Sequence, residues 1–201
     1  MKNIFLLLIS ITFLNSSLTH AEEAWKLEKD KDGIKVWNRK TPSSSLKEYK
    51  ATVILNSTVD KLITFIKNVS LYDKWMYKTD EGSPKIIKKV TDNDYYTYMT
   101  ISAPLIKSRE SITHMVIYPK DSKGAVLVTL DSAPDLLPKN DKYVRILKSK
   151  GYFKITPLSN DKVEFTHQAY GSPGGGIPDV LVNLSSVDCP FYMLSKIKSL
   201  L

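Results

Sequence analysis

The chain has 201 residues, 29 Lys+Arg against 21 Asp+Glu, a formal net charge of +8 and a single cysteine, Cys189. This length suits one domain of ordinary size, and a lone cysteine excludes an internal disulfide. The basic balance suits either an anionic partner, such as phospholipid headgroups, or a solvated lysine-rich face. Nucleic acid is not an expected partner, because no dense basic cluster interleaved with stacking aromatics is present.

In chain order, residues 1–21 read as a secretory signal. Lys2 is a short positive n-region, residues 4–14 are apolar, and Thr19 and Ala21 place small residues at a cleavage site before Glu22 and Glu23. The apolar run is shorter than the roughly 20 residues a membrane span needs, and no cysteine stands near the cleavage site to carry a lipid anchor. Residues 22–201 are therefore expected to form one exported domain, periplasmic or secreted.

Residues 34–39 alternate like a half-buried strand, and residues 47–55 do so with Tyr49, Ala51, Val53 and Leu55 on one face. Ser57 can cap a helix whose stripe is Val59, Leu62, Ile63 and Ile66, with Asp60 favouring its positive end. A second short helix covers residues 71–76, and Glu81-Gly-Ser-Pro84 ends it. Strands follow at residues 86–90, 95–103, 111–118, 125–130, 143–155 and 162–170, joined by short turns and by an apolar loop at 133–138. Many consecutive strands with short turns predict an antiparallel sheet, and helices placed early and at the very end predict the α+β class. After the last strand, Gly174-Gly-Gly176 turns the backbone into a helix, with Pro178 at its first position. Ile177, Val180, Leu181, Leu184, Val187, Phe191 and Leu194 form the face that helix should bury, and Pro190 interrupts it as a possible kinked lid.

Parity assigns candidate cavity residues. Along 143–155, Lys148, Lys150 and Lys154 belong in water, while Arg145 falls with Leu147, Phe153 and Ile155 on the inward side. A buried arginine needs a partner: a ligand phosphate or carboxylate, or a carboxylate of the chain. Arg109 and Glu110 either pair with each other across two strands or meet a ligand. Thr113 and Met115 share one strand face. His167 shares its face with Phe165, which suits a polar cavity contact or a hydrogen-bonded core residue. Tyr192, on the last helix, is one of 11 tyrosines whose apolar body and polar tip suit an amphipathic ligand. Neither His114 nor His167 has Cys, Asp or Glu at ligand spacing, so no metal or other cofactor is expected. No Gly-Lys-Ser/Thr follows the glycine turn, and there is no Gly-x-Ser-x-Gly elbow.

The sequence resembles the START (StAR-related lipid-transfer) family. The landmarks are Trp25 with Asp32-Gly-Ile-Lys-Val-Trp37; Tyr72-Asp-Lys-Trp75; Pro104 with Arg109-Glu110; Val144-Arg145; and Gly-Gly-x-Ile-Pro178 followed by Val182-Asn183. They cover residues 24–201 in the family's order. The resemblance implies a helix-grip fold, a curved sheet wrapped around a long C-terminal helix. It also implies a monomer that binds a lipid or sterol-like molecule without catalysis. Some sterol-binding relatives carry an arginine where Met115 stands, which argues against a sterol. A cavity enzyme of the same broad fold, aromatase/cyclase or hydrolase in type, is the alternative, and a sensing module with a self-filled core is a third. The candidate ligand contacts are Arg145, Arg109, His167, Thr113, Met115, Phe165, Leu184 and Tyr192.

Overall fold

The computed structural model describes residues 24–41, 44–159 and 161–201. The signal-peptide reading of residues 1–21 lies outside the described residues. Among the described residues, one curved sheet holds ten strands: β1 (Lys26–Lys31), β2 (Ile34–Thr41), β3 (Ser44–Leu55), β4 (Lys85–Thr91), β5 (Asp94–Ala103), β6 (Ile106–Ile117), β7 (Val126–Ser132), β8 (Val144–Arg145), β9 (Lys148–Pro157) and β10 (Val163–Ser172). The order across the sheet is β1-β2-β3-β10-β9-β7-β6-β5-β4, with every neighbour antiparallel. β8 lies off that path, parallel to β6. The helices are α1 (Val59–Lys67), α2 (Tyr72–Trp75) after a 3-10 turn at Val69–Leu71, and α3 (Asp179–Leu200). The α+β helix-grip architecture expected from the sequence forms, with α3 lying against β2 and β3.

Alternation explains the concave face. Register places Tyr95, Met115, Leu130, Gly151, Ala169, Tyr49 and Asn38 in one transverse row, because each is the cross-strand partner of the next. The adjacent row holds Ile117, Val128, Phe153, His167, Ala51 and Val36. In the second row Ile117, Val128, Phe153, Ala51 and Val36 join the core, and His167 is the one polar group among them. The first has two small residues in its middle, so space opens above Gly151 and Ala169. A Cβ on Gly151 would sit 2.7 Å from that of Ala169 and 2.6 Å from the Gln168 carbonyl. Glycine is needed there for close approach of the strands.

Four local readings are corrected by the structure. Thr58, not Ser57, caps α1: its hydroxyl accepts the Lys61 N–H at 3.3 Å. Pro178 occupies the cap position, and α3 begins at Asp179. Residues 143–155 are not one strand. The chain leaves the β9 line at Ile146 and Leu147, so that β8 can lie beside β6, where the Ile146 N–H reaches the Glu110 carbonyl at 3.0 Å. Leu147, expected inside, is 52 % exposed as a result. Finally, α3 buries only the second half of the stripe its apolar spacing suggests, where Leu194 is buried and Val187 and Phe191 pack against the core. Val180, Leu181 and Leu184 are exposed, while Ser186, Pro190, Met193, Leu194 and Ile197 are buried. The first half of α3 is instead fastened by polar contacts. Asn183 accepts the Lys47 N–H at 2.8 Å and donates to the Ser45 carbonyl at 3.0 Å, and Asn38 donates to Ser186 Oγ at 2.8 Å. The helix runs on through Pro190.

Candidate ligand cavity

Three adjoining compartments lie between the concave face and α3. The inner one, about 180 Å³, sits over Gly151 and Ala169, with Tyr49, Thr113, Met115 and His167 in its wall. The outer one is a groove of about 450 Å³ between the β5–β6 hairpin and the first half of α3, walled by Lys78, Pro104, Arg109, Ile177 and Leu181 among others. The third, about 220 Å³, lies between Tyr49, Ser149, Tyr170 and Val182. Inner and outer compartments share Tyr77, Ile101, Ile146 and Cys189. Ile146 belongs to the walls of all three. The break between β8 and β9 puts it there.

The inner compartment is polar in places but carries no formal charge. Burial pushes the His167 imidazole down to about 3, so the ring is neutral at physiological pH. Tyr49 stands edge-on to it, ring centroids 5.1 Å apart, with the hydroxyl 3.2 Å from Nε2. Burial first, and the Cys189 thiol second, hold the Tyr49 hydroxyl well above the usual phenol range. Ser111 and Thr113 hydroxyls lie 3.3 Å apart. Burial pushes the Cys189 thiol up to about 12, so it is no thiolate at neutral pH. No Asp or Glu stands in the walls of the three compartments among the described residues. Neutral donors and acceptors surrounded by Met, Phe, Tyr and Ile can orient a hydroxyl, amide or ester while the rest of a guest is desolvated.

No family model matches the chain. A STAR-related lipid transfer protein from Xanthomonas axonopodis superposes with a TM-score of 0.81 at 32 % identity, covering 88 % of this chain and 98 % of that one. The chain belongs to the StAR-related lipid transfer (START) family. Human StAR-related lipid transfer protein 5 has the same fold, with a TM-score of 0.75 at 18 % identity over 87 % of this chain and 85 % of that one. An uncharacterized protein of Pseudomonas aeruginosa is 30 % identical over 178 residues, 88 % of this chain and 86 % of its own length.

This START domain brings His167, Thr113 and Met115 to the inner compartment and Arg109 to the outer one. The other expected contacts stand elsewhere. Arg145 is buried, but its side chain is committed: Nε donates to Glu110 at 2.9 Å, and the Nη groups donate to the carbonyls of Pro134, Leu137 (3.1 Å) and Pro138 (2.9 Å). Glu110 therefore pairs with Arg145 rather than with Arg109, because adjacent residues of β6 face opposite sides of the sheet. Phe165 is fully buried in the core, 5.3 Å from the Phe153 ring. Leu184 is 64 % exposed, and Tyr192 rests on the rim against Tyr77, ring centroids 5.5 Å apart. The sequence reading missed Ser149, Gly151 and Tyr77, and it placed Tyr49 on the right face without naming it a contact. The alternation of β3 and β9 carried the signal for Tyr49, Ser149 and Gly151. Nothing in the sequence marks Ile146, whose place depends on the strand break.

Proposed function

We propose that this chain binds a lipid or similar apolar molecule non-covalently between its sheet and α3 and moves it between membranes. The observation that carries the reading is a walled, uncharged inner space opening into an apolar groove whose lip is itself apolar and exposed. Leu105, at the β5–β6 turn, is fully exposed beside Ile106, and Leu181, which walls the groove with Ile106, is exposed on α3 with its helix neighbours Val180 and Leu184. Exposed apolar groups gathered at the mouth of a cavity mark a surface meant to meet something apolar. A bilayer fits, and the guest would gain about 25 cal/mol for each Å² of apolar surface removed from water. The name of the Xanthomonas relative, a STAR-related lipid transfer protein, agrees.

A non-catalytic role is supported by the inner walls. His167 is held neutral beside a phenol, Cys189 is held as a thiol, and no carboxylate stands near either in those walls, so acid–base pairing has no partner there. The sequence of residues 1–21 supports export, so the membranes served would lie outside the cytoplasm. Native mass spectrometry of the purified protein, with fluorescent-lipid transfer between vesicles, tests the proposal. Lipid adducts together with protein-dependent transfer are expected. No adduct and no transfer from any vesicle composition would refute it.

A further inference from the structure

Among the described residues, the buried cation in the wall of the outer groove has no counter-ion. Arg109 is only 5 % exposed, yet no carboxylate lies within ion-pair distance of it among the described residues. Its neighbour Glu110 faces the other way and is taken by Arg145. Two of its nitrogens are held by carbonyls, Nη1 by Lys107 and Nη2 by Gly174 at 3.5 Å, which fixes the plane of the guanidinium. The third, Nε, is buried with no hydrogen-bond partner. The groove's other charged residue is Lys78, also a cation. The space thus carries two positive charges and no negative one. Burial pulls the Arg109 guanidinium below its usual value, the direction expected for a desolvated cation without an anion beside it. Arg145, equally buried, has its Glu110. A buried unpaired charge is expensive to keep, and Arg109 becomes satisfied if the guest brings the anion.

We propose that the outer groove holds the anionic head of an amphiphile, a carboxylate or a phosphate on an apolar tail. Arg109, in the groove wall, is its ion-pair partner, and the exposed Lys78 stands at the rim. This rests on the lipid-binding reading above and names the class of lipid. The tail then passes Ile146 into the inner compartment. The opposite orientation is disfavoured, because the inner walls hold no cation and an unpaired charge there would be desolvated.

Displacement of a fluorescent amphiphile by palmitate, by lysophosphatidate and by the uncharged hexadecanol tests this on the whole protein. The two acids should bind about 10- to 100-fold more tightly than the alcohol, the worth of a charge-assisted hydrogen bond. Arg109→Gln should bring the acids down to the alcohol's affinity. If Arg109→Gln does not fold, Lys78→Gln at the rim should still narrow the preference several-fold, and an unchanged preference would overturn the assignment to this groove. Equal affinities for acid and alcohol in the unaltered protein would overturn the anionic head while leaving lipid binding intact. Failure of all three to displace a bound probe would overturn the anionic-head assignment and leave lipid binding intact, whereas failure of the probe itself to bind, with no lipid adduct and no transfer, would remove the lipid reading and this one with it. Displacement by acetate or inorganic phosphate alone, at the concentrations at which the acids act, would show a free-anion site and overturn the amphiphile.

Discussion

At the scale of single residues, burial decides what each polar group in the cavity can do. His167 looks in the sequence like any core histidine. The structure leaves it 4 % exposed, facing Phe153 on one side and Tyr49 on the other. Its folded value of about 3 lies below the ordinary value near 6.5. Between those two pH values the unfolded chain takes up a proton that the native ring refuses. Stability is therefore lost as pH falls from about 6.5 toward 3, by about 1.4 kcal/mol per pH unit from this group alone. Urea unfolding at a series of pH values should show a steeper loss in the unaltered protein than in His167→Gln. Equal slopes would mean the ring is not held neutral. The inward direction of His167 was legible from its parity with Phe165. Its neutrality was not, because desolvation depends on Phe153 and Tyr49, contributed by other strands.

At the scale of elements, β8 is the clearest departure from what alternation predicts. Two residues long, it is held less by its ladder than by one side chain. Arg145 ties β6, through Glu110, to the loop carbonyls of Pro134, Leu137 and Pro138. Tyr98 donates to the other Glu110 oxygen at 3.2 Å. Arg145→Leu would leave Glu110 buried and unpaired and strip three carbonyls of their donors, a loss of about 3–5 kcal/mol. Chemical denaturation measures it. A change below about 1 kcal/mol would mean that the pair is not a buried clamp. Arg145→Met combined with Glu110→Leu should recover part of the loss, since no buried charge then remains. The burial of Arg145 was anticipated, but by way of a continuous strand that does not exist. Helix α3 teaches the same lesson: the periodicity of Val180, Leu181 and Leu184 was real, yet Asn183 and Ser186 face the sheet in that half of the helix.

At the scale of the molecule, charge and exposed apolar surface meet at one end. Lys78 walls the groove and Lys107 follows the exposed Leu105-Ile106 pair, so cations flank the apolar lip. With a formal charge of +8, approach to a membrane should be electrostatically assisted. Vesicle co-sedimentation should rise with the fraction of anionic lipid and fall with added salt, because screening acts over about 8 Å at physiological ionic strength. Equal binding to neutral and anionic vesicles would remove the role of charge and leave docking to the apolar lip alone.

The sequence by itself determined most of the elements and the inward face of most strands, because alternation and turn chemistry are local; it did not mark β1 or the break between β8 and β9. Its ordered landmarks, from Trp25 to the glycine turn before α3, were enough to point to the family. Tertiary structure alone decided where the cavity opens and which groups serve it. Gly151 and Ala169 make space only because register sets them side by side between Leu130 and Tyr49. Ile146 divides the compartments only because β8 turns to β6. Arg109 and Arg145 look alike in sequence, and they part company because Arg145 faces a buried carboxylate and Arg109 a groove whose other charged residue is a cation. Which anion answers a cation is a property of the space around it, and no local pattern encodes that.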